Sequence, residues 1–576
     1  MAEVQDEATG TVQAVETLKI LITDRIAREG IDLLRSQLPE AQIDERTGLK
    51  PEQLKAIIGG YSALIVRSET QVTGDILAAA DNLKIVGRAG VGVDNIDTEA
   101  ATRQGIIVVN SPTGNIIAAA EHTIAMLMAL ARHIPAATAS MKAGKWEKSR
   151  FVGVEVRNKI LGVIGLGKVG MAVARRAQGL EMQIIAYDPF VSPEQARKAG
   201  VLIMSMDEVL QQADFVTLHT SLTSGPSGTR GLIGARELHL MKPGARLINC
   251  ARGGLIDEEA LLNALNENRL AGAALDVFSQ EPIRDHALLK QLIAHERIVA
   301  TPHLGASTEE AQVGVATDVA EQIVSVLRGG FPRAAVNAPL ILPETMKVLQ
   351  PYMTLVEKMG RLYTQLQPGP LNRIELSYNG EIASYDLRPL QAALIKGLLE
   401  SVSEVHVNMI NAQVLAKEWG LEIVEQKSTT PAEFANQVTL KVVSTNSSYT
   451  SSLSGKPGSG DERIEVLSGT VMHDEPRIVR VGRYWTEFVP EGYILFCRNP
   501  DQPGMIGRVG TLLGKASVNI RFMDVGPSSR KPRHHEPSRK LDTALMVICV
   551  DDPIPDWTLE EIGKEGDIFG VTVVNL

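Results

Sequence analysis

Short runs of consecutive apolar residues, each closed by a polar or glycine-rich turn, recur along the first half of the chain. LKILITD at 18–24 ends in Thr-Asp and leads into IAREGIDLLRSQL, an amphipathic stretch. YSALIVRSET, LKIVGRAG and GIIVVNSP repeat the theme of buried strand, then turn or helix. Strands alternating with helical stretches predict a parallel α/β sheet. Pro112, after Asn110-Ser111, marks a break. AAAEHTIAMLMALARHI then predicts a long helix ending before Pro135. Its apolar sides are too broad for a surface helix, so it should line an interface between lobes or subunits. From Lys159 a second α/β series follows: ILGVIGLG, MQIIAYD, ADFVTLHT, ARLINCARGG, GAALDVF and RIVATPHLG. Two such series predict two lobes with a cleft between them.

After about Val336 the texture changes. Residues 340–490 mix helical stretches (LRPLQAALIKGLLESV) with alternating strands (LNRIELSYNG, QVTLKVV). A Ser/Gly-rich stretch at 444–460 reads as a flexible insertion between strands. From about Gly492 the order is strand, helix, strand, strand, helix, strand, which predicts a ferredoxin-like module.

Composition narrows the function classes. At ~150 residues per domain, 576 residues imply about four domains. Hydrophobic residues are 44% and charged residues 22%, which excludes wholesale disorder. The formal charge of −10 argues against a general binder of nucleic acid or anionic membrane. Cys250, Cys497 and Cys549 are too few and too far apart for a disulfide framework or a zinc cluster, so no metal is expected. No apolar run approaches the ~20 residues of a membrane span. Glu3, Asp6, Glu7 and Glu16 precede the first Lys or Arg, unlike a secretory or transit signal. Residues 1–17 read as a frayed tail, and the expected compartment is the cytoplasm.

Gly165-Leu166-Gly167-Lys168-Val169-Gly170 is GxGxxG between the strand ILGVI and the helix VGMAVARRAQG. The first glycine serves the tight turn, the second the approach of a pyrophosphate, the third helix–strand packing. Asp188 closes the next strand, where an acid holds a ribose 2′-OH; no Arg adjoins it, which favours NAD over NADP. Arg252, Glu281 and His303 each sit just past a strand, where side chains converge on the ligand crevice of an open α/β sheet. Arg252 can grip a carboxylate, and a histidine can move a hydroxyl proton near neutral pH, with Glu281 fixing its ring. Spacing alone leaves a solvated Arg, a Glu-Pro turn and a structural His as open alternatives.

The strings GLGKVG, NCARGG, ALDVFSQEP and PHLGAST together resemble the D-2-hydroxyacid dehydrogenase superfamily. With VRSETQVT, GRAGVGVDNID and the terminal module, the chain resembles its long-form D-3-phosphoglycerate dehydrogenase family from about Leu18 to Leu576. The resemblance implies NAD-dependent oxidation of 3-phospho-D-glycerate to 3-phosphooxypyruvate, the first step of phosphorylated L-serine biosynthesis, in a homotetramer. It implies that Arg252, Glu281 and His303 are catalytic. NAD contacts carry over to Gly165, Gly167, Lys168, Val169, Gly170, Asp188, Thr220, Cys250, Ala251, Arg252, Asp276 (nicotinamide carboxamide), His303, Leu304, Gly305 and Ala306. Val91 stands where some members have Thr, so only its backbone can contribute. SLTSGPSGTRGL is a few residues longer than the family's usual turn.

The same resemblance assigns the substrate phosphate to Arg67, Arg88 and Arg132, since a dianion wants two or more guanidinium forks. It divides the chain into a substrate lobe (18–111 and 304–336), an inserted Rossmann lobe (112–303), an intervening α+β allosteric domain (340–490) and an ACT domain (491–576). DQPGMIGRVGTLLGKASVNI resembles the ACT turn, helix and second strand, and Asp501 and Asn519 match the family's L-serine anchors. Arg477 and Arg480 read as an anion site or as charged strand edges; His534-His535, in the basic loop 528–542, reads as a solvated loop. Two other functions stay open: a sister reductase of hydroxypyruvate or glyoxylate, and a non-catalytic NAD-sensing scaffold.

Overall fold

The computed structural model describes residues 18–223, 225, 228–338, 343–369, 371–403, 405–444, 463–527 and 543–576. The expected frayed tail 1–17, the Ser/Gly-rich stretch from 445 and the basic loop with His534-His535 lie outside the described residues.

Strands β1 (Lys19–Ile22), β2 (Gln42–Glu45), β3 (Ala63–Val66), β4 (Ile85–Arg88) and β5 (Ile107–Asn110) form a parallel sheet in the order β2-β1-β3-β4-β5. β3, ALIV, is buried at every position, as strands covered on both faces are. One cover is the helix Arg28–Gln37; beside it lies the helix Glu309–Leu327, whose Val319, Ala320 and Ile323 join Ile20, Ile65 and Leu34 in one core. Two glycines permit this: a Cβ on Gly87 would lie 2.5 Å from Val319 Cγ1, and one on Gly30 2.8 Å from the Ala316 carbonyl. The chain therefore leaves this sheet after β5 and returns to it past residue 308.

Between these visits it builds a second parallel sheet from β6 (Ile160–Ile164), β7 (Gln183–Tyr187), β8 (Leu202–Ile203), β9 (Phe215–Leu218), β10 (Ala245–Asn249), β11 (Leu270–Leu275) and β12 (Ile298–Ala300). The order is β12-β11-β10-β9-β6-β7-β8, so its direction reverses between β6 and β9. The helix Ile116–Ala131 crosses β10, β11 and β12. The sequence pattern runs it to Pro135, but it stops at Ala131. His133 takes a left-handed conformation (φ 53°), and a new helix starts at Ile134, bent by 64° from the first. No single helix among the described residues is long and apolar enough to cross a membrane.

A third sheet, β14-β13-β15-β16-β17-β18, joins β13 (Arg373–Gly380), β14 (Glu422–Ser428), β15 (Asn436–Ser444), β16 (Arg463–Met472), β17 (Glu475–Val481) and β18 (Tyr484–Phe488). β13 alternates half-buried and buried positions, and the helices Pro343–Leu366 and Arg388–Leu399 cover its inner face. The last sheet is β20-β21-β19-β22, from β19 (Tyr493–Pro500), β20 (Ile520–Pro527), β21 (Thr543–Val550) and β22 (Gly570–Asn575). Helices Met505–Lys515 and Asp556–Lys564 complete the βαββαβ order.

This module is not pendant. Leu495, Cys497, Met546 and Ile548 face its own helices. Ile494, Phe496, Leu545, Val547 and Val574 belong to the core of the preceding domain. Phe496 meets Phe488 edge-on at 5.8 Å, and the Thr486 hydroxyl and Glu487 N–H donate to Asp524 at 2.7 and 3.0 Å. The combined body touches the first lobe through two asparagines and an ion pair between Glu418 and Arg103 (3.2 Å). Asn408 Nδ2 donates to the Gly105 carbonyl (2.7 Å) and Asn411 Nδ2 to that of Arg103 (3.3 Å). Arg477 is paired with Glu475 and Glu487, and Arg480 lies over the Trp485 ring, so charged strand edges account for both.

Candidate active site

The three glycines after β6 have three different reasons. Gly165 has φ 93°, and a Cβ there would lie 2.6 Å from the His219 carbonyl after β9. A Cβ on Gly170 would lie 2.1 Å from the Gly165 carbonyl, so only glycine lets the helix seat on the turn. At Gly167 nothing lies within 4 Å; the N-terminus of the helix Lys168–Gly179 is open. This turn stands at the reversal between β6 and β9, where open α/β sheets bind ligands. Asp188 ends β7 with both oxygens engaged: one accepts from Leu166 N (2.8 Å), the other from Phe190 N (2.8 Å) and Val191 N (3.2 Å). The oxygen facing Leu166 N accepts only that one bond and retains acceptor capacity. The Thr220 hydroxyl is buried without a hydrogen-bond partner. An open glycine-lined helix N-terminus, a carboxylate and an orphaned hydroxyl at one switch point fit a dinucleotide. Nearby, burial keeps two groups neutral: His219 is pushed down to about 4, and the Cys250 thiol up to about 12, the latter with help from the charge of Asp276.

Past β10, Asn249 braces the next turn, accepting from Ala251 N (3.0 Å) and donating to the Arg252 carbonyl (2.9 Å). Gly253 lets this turn lie against the 278–279 backbone; a Cβ would fall 1.8 Å from the Phe278 carbonyl. Arg252 leaves the turn with Nη1 on the Ala251 carbonyl (2.8 Å) and Nε 3.3 Å from Asp94 of the other lobe. Past β12, His303 Nδ1 lies 2.6 Å from Glu281 Oε2, and Glu281 Oε1 accepts from Phe278 N (2.9 Å). The His303 side chain is half exposed, and Nε2 has no protein partner among the described residues.

Asp276 is wholly buried. Oδ1 accepts from Thr301 Oγ1 (2.5 Å) and Leu304 N (2.7 Å), and Oδ2 from Gly305 N (2.8 Å). Burial alone would raise its pKa; hydrogen bonds from His122, Thr301 and Leu304 outweigh that, and the net shift is downward.

Arg67 and Arg88 are braced by two residues that the sequence pattern did not single out. Asp24, buried at the end of β1, accepts from the N–H groups of Arg67 (2.6 Å), Glu69 (3.1 Å) and Thr70 (3.2 Å). Asn95 accepts from Arg88 Nε (2.8 Å) and donates to the Arg67 carbonyl (3.1 Å). The Arg88 guanidinium is pushed down to about 10, first by burial, then by the charge of Arg252, with a smaller push from Arg67. The three cations therefore share one region. A cavity of about 620 Å³ opens beside Arg67, with Ser307, Thr308 and Gln312 on its far wall.

Arg132 does not join them. The helix Ile116–Ala131 runs antiparallel to the strands. His122 reaches Thr301, past the C-terminal end of β12, while Leu130 lies by Gly272, near the start of β11. Arg132, just beyond that end of the helix, is exposed at the opposite edge of the sheet. Val91 sits between the lobes, its carbonyl accepting from Asn110 Nδ2. Lys168 is exposed, Val169 half-buried, and the Ala306 carbonyl accepts from Gln312 (3.1 Å).

In the terminal module Asp501 and Asn519 are both exposed, but they stand at opposite ends of one strand. Pro500 pairs with Thr543 and Ile520 with Val550, so the length of β21, about 24 Å at ~3.4 Å per residue, separates them. Asn519 donates to Asp551 (2.6 Å), and Gly504 takes φ 93°.

Comparison with known proteins agrees with this layout. Residues 124–305 match the NAD binding domain of D-isomer specific 2-hydroxyacid dehydrogenases, 348–482 the D-3-phosphoglycerate dehydrogenase intervening domain, and 493–567 the ACT domain. A D-3-phosphoglycerate dehydrogenase of Synechocystis is 44% identical over 97% of this chain and 95% of its own. The chain belongs to the D-3-phosphoglycerate dehydrogenase family. It is accordingly an NAD-dependent oxidoreductase with an inserted Rossmann lobe and an ACT domain. An Archaeoglobus fulgidus member of the family is 40% identical over 97% of this chain and the whole of its own. Among solved structures, the TT0316 protein of Thermus thermophilus is 32% identical with a TM-score of 0.51, covering 55% of this chain and all of its own.

Proposed function

We propose that this enzyme oxidises 3-phospho-D-glycerate to 3-phosphooxypyruvate, opening phosphorylated L-serine synthesis in the cytoplasm, and that it works as a homotetramer. The observation that carries the reading is that Asn95 joins Arg88 to Arg67, while Arg252 reaches the adjoining Asp94 from a turn packed against Phe278, whose N–H donates to Glu281. One guanidinium serves the carboxylate and two serve the phosphate, which an unphosphorylated 2-hydroxy acid would not need. Arg132 of the same chain stays outside this set.

Arg252 grips the substrate carboxylate and polarises the neighbouring C–O bond. His303 takes the hydroxyl proton at Nε2, while Glu281, on Nδ1, holds the ring and steadies the imidazolium that forms. Bound NAD supplies the hydride acceptor; Gly167, Asp188, Thr220 and Asp276 are the groups that hold it. Asp276 already accepts several bonds, so its share in holding a carboxamide falls to Oδ2, which accepts only one.

The reading is tested by NAD reduction with 3-phospho-D-glycerate against D-glycerate. A large preference for the phosphorylated acid supports it. Equal rates favour the sister reductases, and no turnover with either favours the non-catalytic NAD sensor. L-serine is proposed as the effector of the ACT domain. Since one chain holds Asp501 and Asn519 a strand apart, a serine touching both needs two modules side by side.

A further inference from the structure

His122 lies in the short polar run Glu121-His122-Thr123 of the otherwise apolar helix Ile116–Ala131, and no step of the chemistry above uses it. Its Nε2 lies 3.2 Å from both Asp276 Oδ1 and Thr301 Oγ1. The Thr301 hydroxyl has one proton and gives it to Asp276. Both oxygens facing Nε2 are therefore acceptors, and Nε2 must carry a proton.

What His122 secures is the segment that carries the acid–base histidine. Four donors of that segment end on Asp276: the Thr301 hydroxyl and the N–H groups of His303, Leu304 and Gly305, that of His303 on the backbone carbonyl. His303 itself sits at φ 56°, a left-handed conformation that a histidine rarely adopts and that the surroundings must impose. The Asp276 carboxylate, which holds the adjoining Leu304 and Gly305 N–H groups, is wholly buried, and His122 is the one basic side chain within ion-pair distance of it among the described residues. Three elements bring titratable groups to Asp276: this helix with His122, the turn after β10 with Cys250, and the segment after β12 with His303. The Cys250 thiol is neutral, and the His303 ring is turned to Glu281, which leaves His122 as the imidazole that donates to the carboxylate.

We infer that His122 is a positioning residue of the dehydrogenase reaction: through its Nε2–H it keeps Asp276 ionised and oriented, and so sets both the His303 backbone and the seat of the nicotinamide end of NAD. The inference rests on the proposed chemistry for its kinetic consequences but not for its binding consequences.

The test compares His122→Phe, which keeps a ring and removes the N–H, with His122→Gln, which restores an N–H donor. NADH binding to the enzyme without substrate is read by calorimetry, and turnover by NAD reduction. Losing a hydrogen bond to a charged group should weaken NADH binding by roughly tenfold or more in His122→Phe. kcat should fall with the phosphoglycerate KM held, since the arginines are untouched. His122→Gln should recover most of each loss. Wild-type NADH affinity and wild-type kcat in His122→Phe overturn the inference. So does a His122→Gln as impaired as His122→Phe, since ring volume, not the N–H, would then matter. Failure of wild type to oxidise phosphoglycerate would sink the proposed substrate and leave the binding comparison standing.

Discussion

Arg252 Nε lies 3.3 Å from the Asp94 carboxylate, so a residue that follows β10 in one lobe is tied to the loop that follows β4 in the other. The pair straddles the cleft and aims the guanidinium before any substrate arrives. A lysine would keep the charge and lose the fork. Arg252→Lys should therefore lower kcat/KM by roughly 10²-fold or more, the scale of one lost transition-state donor. Initial rates decide it, and a loss of less than about threefold would remove Arg252 from the substrate clamp.

His303→Ala should lower kcat by roughly 10²–10⁴-fold, the usual contribution of a general acid–base group. NAD binding should be little changed, because the glycine turn and Asp188 lie at β6 and β7, away from β12. A variant with near-normal turnover at neutral pH would show that another group moves the proton.

Asp188→Ala should weaken NAD and narrow its preference over NADP, by removing an acceptor for the ribose and a repulsion toward a 2′-phosphate. It should also loosen the apo enzyme, because three backbone N–H groups lose their acceptor. An NAD/NADP ratio identical to wild type would place cofactor choice elsewhere.

Serine regulation is tested by titrating L-serine into wild type, Asp501→Ala and Asn519→Ala, reading heat and initial rate. Both variants should lose affinity. An equimolar mixture of the two, in which one pairing keeps an intact Asp501 facing an intact Asn519, should regain part of it. Absence of heat and of inhibition in wild type at millimolar serine ends the idea. Equal, undiminished binding in both variants moves the site.

Asp44 is held below the usual carboxylate range, chiefly by the Tyr61 hydroxyl, which donates to it at 2.7 Å. A carboxyl whose folded pKa is depressed contributes stability that is full above its unfolded pKa of ~4 and lost as pH falls through the folded value. Tyr61→Phe should thus cost about 1 kcal/mol at pH 7, and the gap to wild type should close in acid. Denaturant melts at pH 7 and pH 3 compare the two; a gap that stayed constant would mean the bond does not depend on the charge.

The sequence made the parallel lobes and the terminal βαββαβ legible because their strands are short buried runs with strong punctuation. It also placed Arg252, Glu281 and His303 just past strands, and the three glycines on the turn between β6 and its helix, where the structure has them. It was silent on the braces. Asp24, Asn95 and His122 act mostly through contacts with residues 25 to 179 positions away, Arg88 at 7 positions from Asn95 being the exception, and such pairings leave no local pattern. The place of Arg132 stayed hidden for the related reason that sequence shows which helix a residue ends, not which edge of the sheet that helix end reaches. The split at His133 was hidden because nothing in ALARHI announces a left-handed histidine.

The shared core of the last two domains bears on how this enzyme can be dissected. Cutting the gene near residue 490 looks like a clean way to obtain an enzyme freed from its regulator. It would instead strip the partners from Phe488, Tyr484 and the inner face of the helix Pro343–Leu366, and leave an oily surface in water. Such a fragment should be sticky and poorly expressed. Removal from about residue 338 onward takes away the whole block; among the described residues the polar ties that the freed dehydrogenase loses are those of Asn408 and Asn411 to Gly105 and Arg103 and the Arg103–Glu418 ion pair beside them.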